Sequence, residues 1–330
     1  MSQPIHLSID AMGGDQGPRL VVEASIAFLK RYPHTRLTLF GDFADLEAAV
    51  KGSVCASRIS LTQTELTVAA DERAGSALRH KQGSSMWKAV ELVATGQADA
   101  CVSGGNTGAL MAMGRKLIKT FPGVSRPAIC KPIPTARGSS FILDLGANLN
   151  CSAQQLVQFA LMGSALARVY GCENPSVALL NVGTELSKGS ESILTAAALM
   201  REHPAINFAG FVEGHGLYQG DVDVVVCDGL VGNVALKVSE GVAAFIVSSL
   251  KAKLRENRFN QFAGLIVEPL LRRWMAAYNP SNFNGAAMLG LQRTLVKSHG
   301  GTDKFGFEQA LVTAVDQVSA NIPERIAQCL

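Results

Sequence analysis

Aromatic residues are scarce in this chain. Phe, Tyr and Trp make up 6% of it, against 48% for the hydrophobic set as a whole, so the core must be assembled from Val, Leu, Ile and Ala. An excess of either charge is missing too. The formal net charge is +3 over 330 residues, which excludes the basic balance of a general nucleic-acid binder. The seven cysteines, at 55, 101, 130, 151, 172, 227 and 329, are odd in number and include no CxxC pair. They read as reduced thiols in apolar strands, not as a disulfide framework. The six histidines show no HExxH or comparable ligand spacing, so no metal site is expected. No GxSxG elbow and no GxxxxGK[ST] loop occurs, nor a GxGxxG after a strand with an acid about 20 residues on, which argues against standard NTP or dinucleotide binding. The first six residues lack a basic region running into an apolar one, so no signal peptide is expected. No apolar run approaches the ~18–20 residues of a membrane span. These absences predict a cytoplasmic protein, at most peripherally membrane-associated.

Glycine is plentiful, with 32 residues, as suits buried parallel strands with tight strand-to-helix turns. Short apolar runs at 5–10, 37–41, 59–62, 100–103, 128–133, 141–145, 177–182 and 222–227 predict strands. Longer patterns at 18–32, 84–95, 107–119, 153–170 and 190–202 predict helices. This alternation predicts an α/β fold, a mostly parallel sheet between two helical layers. The span 239–278 reads as mainly helical, broken near Pro269, and predicts a protruding helical pair. A strand at 289–296 and a closing helix at 305–318 follow. No repeat or linker appears, so 1–330 is expected to be one α/β catalytic unit, compact or bilobal.

Five segments repeat one design: an apolar strand, a glycine-rich turn with small polar residues, then a helix. They are 9–15, 103–108, 144–148, 181–189 and 228–233, and four of them carry an asparagine. Such turns present backbone N–H groups near helix N-termini, where an anion is favoured. Ligands of open α/β sheets bind beyond the carboxyl ends of the strands. No serine or cysteine stands out as a nucleophile. The equipment suits a reaction in which phosphate itself attacks a carbonyl and the protein aligns it and stabilises the oxyanion.

The turns, taken together and in order, resemble the PlsX-type phosphate acyltransferase family of bacterial phospholipid synthesis. The matching residues are Asp10-Ala11-Met12-Gly13-Gly14-Asp15, Ser84-Ser85-Met86, Asn106-Thr107-Gly108-Ala109-Leu110-Met111, Asp144-Leu145-Gly146-Ala147-Asn148, Leu180-Asn181-Val182-Gly183-Thr184-Glu185 with Lys188-Gly189, Asp228-Gly229 through Gly232-Asn233, and Ser298-His299-Gly300. The resemblance implies transfer of a fatty acyl group from an acyl carrier protein thioester to inorganic phosphate, without a cofactor. It implies a fold similar to phosphate acetyltransferases and the isopropylmalate dehydrogenase class. It further implies a homodimer at the cytoplasmic membrane face, whose acyl phosphate passes to a membrane glycerol-3-phosphate acyltransferase. The chain departs from the family pattern at Gly104 or Gly105, where Ala is frequent, at Leu230, where Phe is common, and in a looser segment at 282–290. These departures bear on acyl-chain preference more than on reaction class.

Lys188, between a strand end and a glycine, is the first candidate catalytic residue. Asn233 is the second, as an amide donor or as a helix N-cap. Gly13, Gly14, Asn106, Thr107, Gly108, Asn148, Thr184 and Gly232 are candidates for binding substrate or phosphate, with the same capping alternative for Asn106 and Asn148. His299 is a candidate for proton transfer or for a structural hydrogen bond. Arg79 and Lys81, flanking His80, are candidate contacts for phosphate or for the acidic carrier protein, or form a solvated helix face. Between 251 and 275, six basic residues face Glu256 and Glu268, giving that stretch +4 and the remainder −1. Phe262, Leu265 and Ile266 lie among those charges, a pattern of an interfacial helix on an anionic membrane, or of a dimer surface. Three other functions compete: a short-chain enzyme using acyl-coenzyme A, an NAD-dependent dehydrogenase of the same fold class, and a non-catalytic membrane scaffold. The membrane reading predicts that Leu265→Glu with Ile266→Glu abolishes co-sedimentation with anionic liposomes; undiminished binding by the double variant defeats it.

Overall fold

The computed structural model describes residues 4–256, 260, 262, 267, 268 and 280–330. Eleven strands form one sheet: β1 (Ile5–Asp10), β2 (Thr35–Gly41), β3 (Ile59–Gln63), β4 (Ala100–Ser103), β5 (Ala128–Thr135), β6 (Gly138–Leu143), β7 (Ser176–Leu180), β8 (Asn207–Val212), β9 (Val224–Val226), β10 (Ala286–Leu289) and β11 (Thr294–Lys297). Their spatial order is β3-β2-β1-β4-β11-β10-β5-β6-β9-β7-β8. The run β3 to β11 is parallel throughout, and so is the run β6 to β8. Antiparallel pairings of β10 with β11, of β10 with β5 and of β5 with β6 join them. Two parallel halves therefore point in opposite directions.

The register decides what this does to the strand ends. Asp10, Ser103 and Lys297 occupy one row and are the last residues of their strands. Lys297 pairs with Ala286 of β10. Continuing the β10–β5 register places Lys131 in the same row, which runs on to Ile142, Val225 and Ala178. Those last three lie one or two residues short of their own strands' carboxyl ends. The halves are thus staggered, and both sets of carboxyl ends fall within a row or two of one line.

One face of the sheet carries α1 (Gly17–Arg31), α2 (Phe43–Val50), α6 (Ala153–Val169), α7 (Glu191–Glu202), α9 (Lys304–Ser319) and α10 (Ile322–Ala327). The other carries α3 (Ala74–His80), α4 (Ser85–Ala94), α5 (Thr107–Leu117) and the start of α8 (Gly229–Arg255). Cys101, Leu295, Ile142 and Val225 point to the second face, whereas Val102, Val296, Leu143 and Val226 point to the first. This period-2 alternation in nearly continuous apolar strands is what burial on both faces requires.

Two expectations are corrected. The span 289–296 is not one strand: it is the corner between β10 and β11, turned at Gly290 with φ +91°, which glycine adopts without a Cβ penalty. Residues 229–233 are not a turn but the first residues of α8, whose N-cap is Asp228, accepting from Val231 N–H at 2.9 Å. The 27-residue α8 accounts for the first part of the expected protrusion, and of its residues only Gly229 and Gly232 are buried. It holds an 18-residue window of mean hydropathy 1.6 with no more than two charged residues, long and apolar enough by those measures to cross a membrane. The sequence reading missed this because Lys237, Glu240 and scattered Gly, Ala and Ser interrupt any continuous apolar run. Leu265, Ile266 and the break near Pro269 lie outside the described residues.

α8 is seated by close approach. A Cβ on Gly232 would collide with the backbone carbonyl oxygen of Asp144 and lie 2.8 Å from Cys227 Sγ. Gly232→Ala should therefore destabilise the fold by roughly 1–3 kcal/mol through overpacking, lowering the urea midpoint; an unchanged midpoint would show that the seat is loose.

Candidate active site

The ends of β1, β4 and β11 build the first part of the site. Asp10 is buried and receives the Ser103 hydroxyl at 2.7 Å. Ser103 in turn receives Gly105 N–H at 3.0 Å. Burial pushes the Asp10 carboxyl upward, against hydrogen bonds from Ser103 and Ser85 and from the Met12 and Gly13 backbone. Gly13 allows the turns to touch, since a Cβ there would lie 2.6 Å from Gly105 N. Gly14 has φ +107°, and Asp15 N–H donates to Gly300 O at 2.9 Å. The first and second turns and the 298–301 segment are thereby one assembly.

Asp144 organises the second part. Its buried carboxylate accepts from the N–H groups of Ile129 (2.9 Å), Ala147 (3.2 Å) and Asn148 (2.6 Å) and from Asn148 Nδ2 (3.0 Å). Burial raises its pKa, and these four bonds oppose the rise. Asn148 Nδ2 also donates to Pro127 O, and Asn148 O accepts from Gly229 N–H at 2.7 Å. The carboxylate thus aims the first turn of α8. Asn233 packs over Gly146, where a Cβ would lie 3.5 Å from Asn233 Cβ. Its amide is exposed and makes no hydrogen bond among the described residues.

The other candidates differ in how far their side chains are committed. Asn106 is the N-cap of α5, accepting from Ala109 N–H at 2.9 Å while its amide donates to Ala70 O and Glu72 O. Thr107 opens α5, and Gly108 sits against Ala74. Lys188 is exposed beyond β7 with Thr184, its stem folded over Gly183 and its ammonium 2.6 Å from Glu185. That bond raises Lys188 and lowers Glu185. Asn181 braces the loop by donating to Gly183 O and Lys188 O. Arg79 is exposed at the end of α3, and Lys81 lies 3.9 Å from Glu72. Phe262 is exposed.

Three lysines not singled out in the sequence gather on the sheet face under α8. Lys297 donates to the carbonyls of Gly104 (3.2 Å) and Ser298. Burial lowers it to about 8, partly offset by Asp10 and Asp15. Lys131, two strands away, is lowered by burial too. Lys237 lies one turn beyond Asn233 on α8, 3.1 Å from His299 Nε2 and 2.8 Å from Glu240. His299 is lowered by burial and by the charges of Lys237, Lys297 and Lys131, with Glu240 opposing. The signals were present: Lys131 is a lone charge in an apolar strand, Lys297 directly precedes Ser298-His299-Gly300, and Lys237 follows Asn233 by four.

The thiols have the opposite character. Cys101, Cys130 and Cys227 are buried and pushed upward by burial and nearby carboxylates, and Cys151 is pushed up to about 12. Such groups hold little thiolate near neutrality and make poor nucleophiles. Among the described residues no three His, Cys, Asp or Glu side chains gather as a metal would need.

Residues 5–325 match the family described as "Fatty acid synthesis protein". The chain belongs to this family. Its relatives include a phosphate acyltransferase of Teredinibacter turnerae, 96% identical over the full length of both chains. Another, of Saccharophagus degradans, is 53% identical over all of this chain and 97% of that one. At such identity this member of the fatty acid synthesis protein family is an acyltransferase. Its fold is shared with a phosphotransacetylase of Streptococcus pyogenes (TM-score 0.65, 16% identity, covering 97% of this chain and 95% of that one). It is also shared with a branched-chain phosphotransacylase of Enterococcus faecalis (TM-score 0.55, 17% identity, 95% and 99%).

Proposed function

We propose that this family member moves a long-chain fatty acyl group from an acyl carrier protein thioester to inorganic phosphate, giving an acyl phosphate for phospholipid synthesis. One observation carries the reading: where the strand ends converge, the buried carboxylates Asp10 and Asp144 are taken up by hydrogen bonds, cations and amides remain, and the thiols nearby are suppressed. A phosphate oxygen attacks the thioester carbon. The oxyanion that develops collapses, the C–S bond breaks, and the phosphate proton passes to the departing sulfur. Asn233 supplies an amide donor for the carbonyl oxygen. Lys188, released from Glu185, supplies a charge at the same stage. The turns at Gly13, Gly14, Thr107, Gly108, Thr184 and Gly232 offer backbone N–H groups and close approach. Asn106 and Asn148 hold those turns in shape, because their amides are already committed.

The exposed face of α8 and the charge pattern of the sequence support the remaining partners. Along α8, Val231, Val234, Val238, Val242 and Phe245 are exposed and recur every three or four residues, a seam for a second copy of the chain. Apart from Val234, three residues from Lys237, none of them is three or four residues from Asn233, Lys237 or Glu240, so a homodimer on this seam leaves most of the site face free. Arg79, Lys81 and the basic stretch 251–275 suit an acidic carrier protein and the anionic cytoplasmic face of the membrane. There a glycerol-3-phosphate acyltransferase would take the product. That apolar and basic stretch favours a long chain on a protein carrier over a short acyl-coenzyme A.

Purified protein with palmitoyl-ACP should release carrier thiol only when phosphate is present, and the product should be trapped as a hydroxamate. Lys188→Ala should slow this by about 10²-fold or more, as loss of an oxyanion donor does. Activity with a short acyl-coenzyme A and none with palmitoyl-ACP would select the short-chain reading; inactivity with both would remove the proposal.

A further inference from the structure

We propose that Lys131, Lys237, Lys297 and His299 are the seat of the phosphate co-substrate, under α8 and beside Asn233. The inference rests on the acyl-phosphate reading and deepens it, by placing phosphate away from the Lys188 loop.

Lys297 and Lys131 lie in one row on one face, two strand spacings or about 10 Å apart. α8 crosses this face and lowers Lys237 onto His299 from above. His299 Nδ1 accepts from Gly301 N–H at 3.1 Å, so in the neutral ring the proton belongs on Nε2. Nε2–H then faces the Lys237 ammonium, donor to donor. A phosphate oxygen accepting from both converts that repulsion into two charge-assisted bonds. Among the described residues no carboxylate lies within ion-pair distance of Lys131 or Lys297. Partly buried cations without a counter-charge are costly, and a dianion supplies what they lack.

The charged groups facing the seat are few. Glu240 on α8 pairs with Lys237. Asp10 and Asp15 approach Lys297 from the end of β1, and Asp10 is already engaged by Ser103. Three lysines thus face three acids, of which Glu240 is paired with Lys237 and Asp10 is engaged by Ser103, so the cations predominate on the side away from Asp10. Asn233 stands one helical turn from Lys237, about 6 Å along the axis. A thioester carbonyl held by Asn233 is then next to the bound phosphate, the arrangement direct attack needs. The same site has a pH dependence. Bound phosphate favours charged Lys297, so affinity for the dianion weakens as pH rises through about 8 and that ammonium loses its proton.

Inorganic phosphate titrated into the full-length protein, followed by calorimetry and by 31P line width, tests the seat without turnover. Lys297→Met and Lys131→Met should each weaken phosphate binding by tenfold or more, with thermal melts no lower than the parent's. Lys297→Arg should retain binding and abolish the weakening near pH 8, because Arg stays charged. With palmitoyl-ACP, KM for phosphate should rise in both Met variants while KM for the carrier stays within twofold. Phosphate affinity within twofold of the parent in both Met variants overturns the proposal. So does a rise confined to the carrier's KM, which would assign these charges to the carrier. Lys297-dependent phosphate binding without phosphate-dependent thioester cleavage keeps the seat and removes the acyl-transfer reading.

Discussion

A carboxylate buried inside a sheet must find donors, and the way Asp144 finds them fixes the geometry of everything around it. Its oxygens take three backbone N–H groups and the Asn148 amide. They tie the edge of β5 to the turn after β6, and through Asn148 O they fix the first N–H of α8. Gly232 then lets the helix settle directly on the Asp144 backbone. Each bond to a buried charge is worth about 1.5–3 kcal/mol, yet the larger consequence is directional. A helix anchored here crosses the sheet's middle line and delivers Lys237 to His299.

That crossing matters because the sheet is two opposed halves. If the halves were in register side by side, their carboxyl ends would lie at opposite edges. The stagger through β10 and β5 brings both sets of ends to one row, and α8 spans the strands between them. The same helix separates two tasks. The flank beside His299 carries Asn233, Lys237 and Glu240, and the outer flank carries an exposed apolar seam. A partner on the outer side would therefore rigidify the helix without covering the site.

Much of this was legible in the sequence. The strand–turn–helix repeats marked β1, β4, β6, β7 and β9, which end near the middle row, and the ordered motifs named the family. What the sequence obscured has physical causes. Asn233 reads as a turn residue because Gly229 and Gly232 look like turn glycines; in fact they permit helix-to-sheet contact. The β10–β11 corner reads as one strand because Leu289 and Leu291 are apolar on both sides of Gly290. Lys188 attracts notice beside its glycine, while the structure pairs it with Glu185 in solvent. Lys131 and Lys297 drew none, because their adjacency exists only in the register of strands more than 150 residues apart in the chain.

Direct attack, as proposed, moves the acyl group in a single displacement, with both substrates bound and no acyl-enzyme between them. Initial rates measured over a grid of acyl-ACP and phosphate concentrations test it most directly. Direct attack predicts double-reciprocal lines that intersect, the pattern of a ternary complex. Parallel lines are the mark of a ping-pong mechanism; with an acylated cysteine or serine found by intact mass, they would contradict the account.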